Sequence, residues 1–125
     1  MKRKPTDAEL EVLQVLWQNG PSTVRFINDK LNKKRLVGYT TTLKIMQIMA
    51  EKQILERQVS GRGHIYSSLV EEQETQKALL DGFLDKTFRG SALKLVMQAL
   101  GNRRTSKQEL SEIKDYLANL EGEKE

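Results

Sequence analysis

The sequence predicts a mainly α chain with one small β-hairpin, in the order three short helices, hairpin, three further helices. Apolar residues recur three and four apart in six separate stretches, the spacing of one buried helix face. Two short runs, Arg57-Gln58-Val59 and His64-Ile65-Tyr66, flank Ser60-Gly61-Arg62-Gly63 and read as two strands around a four-residue loop. Charge divides along the chain as well: residues 1–69 hold 12 Lys/Arg against 6 Asp/Glu, and residues 70–125 hold 9 against 11. A basic first half suits a polyanionic partner, and a slightly acidic second half suits another task. The expected domains are residues 1–70 and residues 71–125.

Composition narrows the chemistry. At 125 residues the chain is one domain, or a small domain with an appendage. With 38% hydrophobic residues it buries a small core per element, which makes oligomerisation a route to stability. The absence of cysteine removes disulfides, thiol catalysis and thiolate metal sites together. His64 is the only histidine, so a histidine-pair zinc site is excluded and His64 reads as a strand or loop residue. With no nucleophile–base pair and no glycine-rich phosphate loop, neither an enzyme nor a cofactor is expected. No apolar run approaches the roughly 18 residues of a membrane span, and the basic start Met1-Lys2-Arg3-Lys4-Pro5 lacks a signal-peptide core. A soluble, cytoplasmic protein without membrane insertion is expected.

The first helix opens with Thr6 and Glu9 as a capping box, each side chain satisfying a free backbone N–H. Leu10, Leu13, Leu16 and Trp17 are its buried stripe, and Asn19-Gly20-Pro21 ends it, with Gly20 suited to a left-handed cap. Ser22 or Thr23 caps a second helix over residues 24–32, whose core face is Val24, Ile27 and Leu31. Asn32-Lys33-Lys34-Arg35 is a basic loop, either solvated charge or a grip on a phosphate.

The third helix, residues 39–52, follows Gly38. Hydroxyls open it at Tyr39 to Thr42, and Ile45, Met46 and Met49 form its core face. The opposite face carries Thr40, Thr41, Lys44, Gln47 and Glu51, small polar, cationic or amide groups of the kind that meet base edges and phosphates in a major groove. By itself this is the pattern of an ordinary amphipathic surface helix, the commoner case. Three short helices and a basic hairpin are, however, the ingredients of a winged helix-turn-helix, in which the second helix of the pair enters the groove and the hairpin lies on the sugar-phosphate backbone. Arg57 and Arg62 would be the wing's phosphate partners.

Beyond Val70, Glu71-Glu72-Gln73-Glu74 starts a helix with acids at the positive end of its dipole. Leu79, Leu80, Phe83, Leu84, Thr87 and Phe88 make its apolar face, and Gly90 breaks it. Ser91 caps the next helix, with Leu93, Val96, Met97 and Leu100 three and four apart. After a turn at Gly101-Asn102-Arg103-Arg104, Ser106 and Glu109 form a second capping box ahead of Leu110, Ile113, Leu117 and Leu120. Residues 121–125 are expected to be a charged, frayed tail. About fifty residues cannot enclose this much apolar surface alone, so Leu80, Phe83, Leu84 and Phe88, with the stripes of the two following helices, are expected to pack against a second copy of the chain, the alternative being packing on the chain's own N-terminal domain. Two-fold symmetry would also let two recognition helices meet two half-sites one DNA turn apart.

Several stretches resemble the penicillinase and methicillin-resistance repressor family (BlaI/MecI/CopY type). They are Thr6-Asp7-Ala8-Glu9-Leu10-Glu11-Val12-Leu13 with Leu16-Trp17, then Tyr39-Thr40-Thr41-Thr42-Leu43, the wing Gly61-Arg62-Gly63-His64-Ile65-Tyr66, and the tail pattern Gly90-Ser91 with Glu109-Leu110. The resemblance covers nearly the whole chain. It implies a homodimeric winged-helix repressor with N-terminal DNA-binding domains and a C-terminal dimerisation domain of three interlocked helices. It places DNA contacts on Thr40, Thr41, Lys44 and Gln47, with the wing arginine at Arg62. Ile48 stands where the family often has arginine. In antibiotic-responsive members a membrane-bound sensor leads to proteolysis at an Asn-Phe bond, which aligns with Gln98-Ala99 here, so that pair is absent. The copper-responsive branch uses a cysteine cluster, which this chain lacks.

The expected function is a sequence-specific repressor that binds a palindromic double-stranded DNA operator as a homodimer and controls an inducible operon of antibiotic-resistance or stress type. The competing expectation is a winged-helix protein-interaction module without DNA binding, since fold does not dictate function.

Overall fold

A computed structural model describes residues 4–61, 63–101 and 104–123. The backbone divides into two compact units, Met1–Leu80 and Asp81–Glu125. In the first unit, helices α1 (Asp7–Asn19), α2 (Val24–Leu31) and α3 (Tyr39–Glu51) precede strands β1 (Leu55–Ser60) and β2 (Gly63–Ser68). Helix α4 (Glu72–Phe88) crosses from the first unit into the second, which holds α5 (Ala92–Gly101) and α6 (Lys107–Glu123).

Short-range chemistry sets the helix starts as expected. The Thr6 N–H donates to Glu9 Oε1 (3.0 Å) while the Glu9 N–H donates to Thr6 Oγ1 (3.1 Å). Of the two candidate caps for α2, Thr23 takes the role, accepting from the Phe26 N–H. Ser22 instead exchanges backbone hydrogen bonds with Tyr66, at 2.9 and 2.8 Å, tying the α1–α2 connection to the hairpin. Gly20 has the positive φ expected of it, 81°, but its ψ of −170° is extended and not left-handed helical. That combination is open essentially to glycine alone.

Three local features differ from the sequence expectation. The hairpin connection is two residues and not four, because Ser60 pairs with Gly63 in an antiparallel ladder that continues to Leu55 opposite Ser68. Gly61, at φ 61°, supplies the left-handed residue that a two-residue hairpin needs. The buried stripe of α1 is Val12, Leu13 and Leu16, with Leu10 and Trp17 only half-buried. Helix α1 packs against α2, α3 and β2, so its buried arc is wider than one stripe and takes in Val12. Finally, α6 continues to Glu123. Gly122 lies in the last turn, where a glycine costs a helix at most about 1 kcal/mol, too little to end it at residue 120.

The core of the first unit comprises Val12, Leu13, Leu16, Val24, Ile27, Leu31, Val37, Met46, Met49, Ile54, Leu55 and Tyr66. Trp17 anchors its edge, its indole N–H donating to the Val70 carbonyl at 3.1 Å. In the second unit the helices form but their apolar faces stay open: no residue of α5 or α6 is fully buried among those described. Phe83 and Phe88 meet edge-on there, with ring centroids 5.7 Å apart.

Candidate nucleic-acid interface

Helix α3 is set in place by what lies beneath it. Met46 and Met49 are fully buried and Ile45 is half-buried. Thr42, one of the hydroxyls at the helix start, turns inward and is fully buried. Its Oγ1 accepts from Asn28 Nδ2 at 2.8 Å, and the same amide donates to the Val37 carbonyl at 3.1 Å. Asn32 closes the network, its amide donating to the Val37 carbonyl and its Oδ1 accepting from the Val37 N–H. A satisfied amide network is geometrically demanding, so these bonds pin the turn between α2 and α3. The sequence pattern does not show this pairing, since Asn28 and Asn32 look like ordinary polar helix residues.

The pitch of α3 also depends on its far end. Glu9 is buried under the capping box, and its Oε2 accepts from Lys52 Nζ at 2.7 Å just past the end of α3. Burial pushes the Glu9 carboxyl up, but hydrogen bonds from Lys52 and the Thr6 N–H, the Lys52 charge and the Thr6 hydroxyl outweigh it and hold it below its ordinary value. The chain leaves α3 by a paired turn in which the Gln53 N–H donates to Ala50 and the Ile54 N–H to Met49. Gln53 occupies the left-handed region there, at φ 63°, a place that favours glycine.

With the inner face so fixed, Thr40, Thr41, Lys44, Gln47, Ile48 and Glu51 are exposed on the outer one. Gly38 caps the helix without a side-chain bond, leaving the first-turn N–H groups clear of any capping side chain. Gln47, Ala50 and Glu51 of α3 share a groove with Leu55 and Arg57 of β1. Arg57 lies on the same hairpin face as Leu55, two residues along, and is exposed. The structure thus brings Arg57 beside the predicted reading face; Arg62 lies outside the described residues. Arg35 of the basic loop is engaged elsewhere, its guanidinium pairing with Glu11 at 2.6 and 3.3 Å. That contact lowers the Glu11 carboxyl from its ordinary value and raises Arg35. Lys33 and Lys34 remain exposed. Sequence reasoning also missed Arg25, whose guanidinium sits over the Tyr39 ring, 5.1 Å from its centroid. Gln98 and Ala99 are both exposed on α5.

The family model for the penicillinase repressor matches residues 5–119. The chain belongs to the penicillinase repressor family. A penicillinase repressor of Bacillus licheniformis is 25% identical over 119 residues, which is 94% of this chain and 93% of the relative. The solution structure of the DNA-binding domain of the repressor BlaI covers 59% of this chain and 93% of that domain, at 26% identity and a TM-score of 0.52. The monomeric Bacillus licheniformis BlaI in complex with the blaP half-operator covers 59% of this chain and 90% of that one, at 23% identity and the same TM-score of 0.52. The fold is accordingly that of a winged helix, with the β1–β2 hairpin as the wing. The family's members are transcriptional repressors. Among the described residues, no helix is long and apolar enough to cross a membrane.

Proposed function

We propose that this chain is a sequence-specific transcriptional repressor that binds a palindromic operator as a homodimer, and that it controls an inducible operon of antibiotic-resistance or stress type. The observation that carries the reading is the outer row of α3. Thr40, Thr41, Lys44 and Gln47 stand exposed on a helix whose inner face is locked by Thr42, Met46 and Met49, and Arg57 of the wing borders the same groove. Such a row presents donors and acceptors to base edges, while Arg57, with Arg62, neutralises backbone phosphate. Residues 1–70 are the DNA-binding domain in this reading, and residues 71–125 the dimerisation domain.

Support for self-association is the exposure of Leu80, Phe83, Leu93, Val96, Met97, Leu110 and Leu117, with Leu84, Phe88, Leu100 and Ile113 half-covered beside them. Apolar faces of that extent mark an association surface. Induction through a membrane sensor and a protease has less support, because the exposed Gln98-Ala99 pair offers neither asparagine nor phenylalanine.

The test is a gel shift of DNA from upstream of the chain's own coding sequence, with random DNA as competitor. Retention of the upstream duplex against excess competitor is expected, and no shift at all would leave the protein-interaction reading standing. Lys44→Ala or Thr41→Ala should weaken specific binding by about 1–3 kcal/mol while sparing random DNA.

A further inference from the structure

We propose that Arg25 and Tyr39 form a phosphate clamp at the start of the recognition helix, Arg25 gripping the DNA backbone and Tyr39 holding Arg25 in position. The proposal rests on α3 being the reading helix. Arg25 lies in the first turn of α2 and Tyr39 is the first residue of α3, so the pair bridges the two helices of the helix-turn-helix. The guanidinium carbon is 5.1 Å from the Tyr39 ring centroid, and both side chains are exposed.

What the stack leaves unused is the informative part. A guanidinium held over an aromatic ring by cation–π attraction spends no N–H donor on the contact. Those donors are the part that meets a phosphate in bidentate fashion. Among the described residues Arg25 forms no salt bridge of the kind that joins Arg35 to Glu11 and Lys52 to Glu9. Asp29, one helical turn further along α2, takes no part in either. An exposed arginine that is pre-oriented yet lacks an anion is poised for one supplied from outside.

Its place indicates which anion. Thr40 and Thr41 follow Tyr39 directly on the outer face of α3, and the helix start has no capping side chain. Arg57 borders the groove at Gln47 and Glu51, toward the other end of the same helix. Arg25 and Arg57 therefore bracket the reading row from its two ends. Phosphate contacts of this kind fix register and orientation and carry no sequence information themselves.

The experiment is a fluorescence-anisotropy titration of the full chain at several salt concentrations. The probes are the shortest upstream duplex retained in the gel shift and a scrambled duplex of the same composition. Arg25→Ala should weaken both by about five- to tenfold and reduce the slope of log Kd against log salt by about 0.9, the effect of one lost phosphate contact. Tyr39→Phe, which keeps the ring, should behave as the wild type. Tyr39→Ala should reproduce part of the loss, and the double variant should be no weaker than Arg25→Ala alone. Thermal melting should be unchanged throughout, since both residues are exposed.

The clamp is overturned if Arg25→Ala binds within about twofold of wild type with an unchanged salt slope. A loss confined to the upstream duplex would make Arg25 a base reader and overturn it too, as would full additivity of the two substitutions. A wild-type chain that retains no upstream duplex in the gel shift refutes the DNA-binding reading itself, and that failure shows before any substitution is made.

Discussion

Leu13 in α1 and Leu93 in α5 are the same side chain in the same kind of amphipathic helix, yet the first is wholly buried and the second is 69% exposed. In the first unit, α1, α2, α3 and the hairpin each turn an apolar face toward the others and close a core that includes Tyr66 and both Met46 and Met49. In α5 and α6 the periodicity is equally regular, but Val96, Met97, Leu117 and Leu120 remain exposed. Periodicity therefore reports that a face wants a partner, and it does not report whether that partner is in the same chain. One unit closes a core of its own, and the other leaves its apolar faces open.

The sharpest way to break this contrast is to make one substitution in both places. Leu13→Ala should cost about 2–5 kcal/mol in urea unfolding, since it opens a cavity in a closed core. Leu93→Ala should leave the unfolding of the first unit within about 0.5 kcal/mol of wild type, and equal losses at the two sites would refute the distinction. The second unit should instead respond through association. Met97→Glu places a charge on the open face and should weaken self-association by about 2 kcal/mol or more. Sedimentation at several concentrations would read that loss, and a concentration-independent molecular mass in both proteins would remove the interface.

Within the first unit, smaller effects follow from the anchoring of α3. Glu9 is held below its ordinary carboxyl value, so its contribution to stability is complete above the unfolded-state value of roughly pH 4.3. That contribution fades as pH falls through the lower folded-state value. Glu9→Gln should be less stable than wild type at neutral pH, and the gap should narrow on acidification. A gap that stays constant with pH would mean that the carboxylate charge is not what holds Lys52. The smallest expected effect is a gain: Gln53→Gly should raise stability by about 0.5–1 kcal/mol, because glycine meets no steric penalty at φ 63°. A melting temperature at or below that of wild type would show that the left-handed turn is not strained.

The six helices, their capping at Thr6, Ser91 and Ser106, the wing and the outer row of α3 are all legible in the amino-acid order. These depend on residues within about one helical turn of each other, where spacing and capping chemistry act through local geometry. Tertiary structure decided the rest. The Asn28–Thr42 bond spans 14 positions, Glu9–Lys52 spans 43 and Trp17–Val70 spans 53, and no periodicity announces any of them. The hairpin connection is two residues long where the glycine pattern suggests four, because ladder pairing sets where a strand ends. Arg25, Arg35 and Arg57 are indistinguishable as letters. Folding ties one to Glu11, stacks another on Tyr39 and leaves the third at the wing groove, because only the packed chain brings a particular partner within reach of each charge.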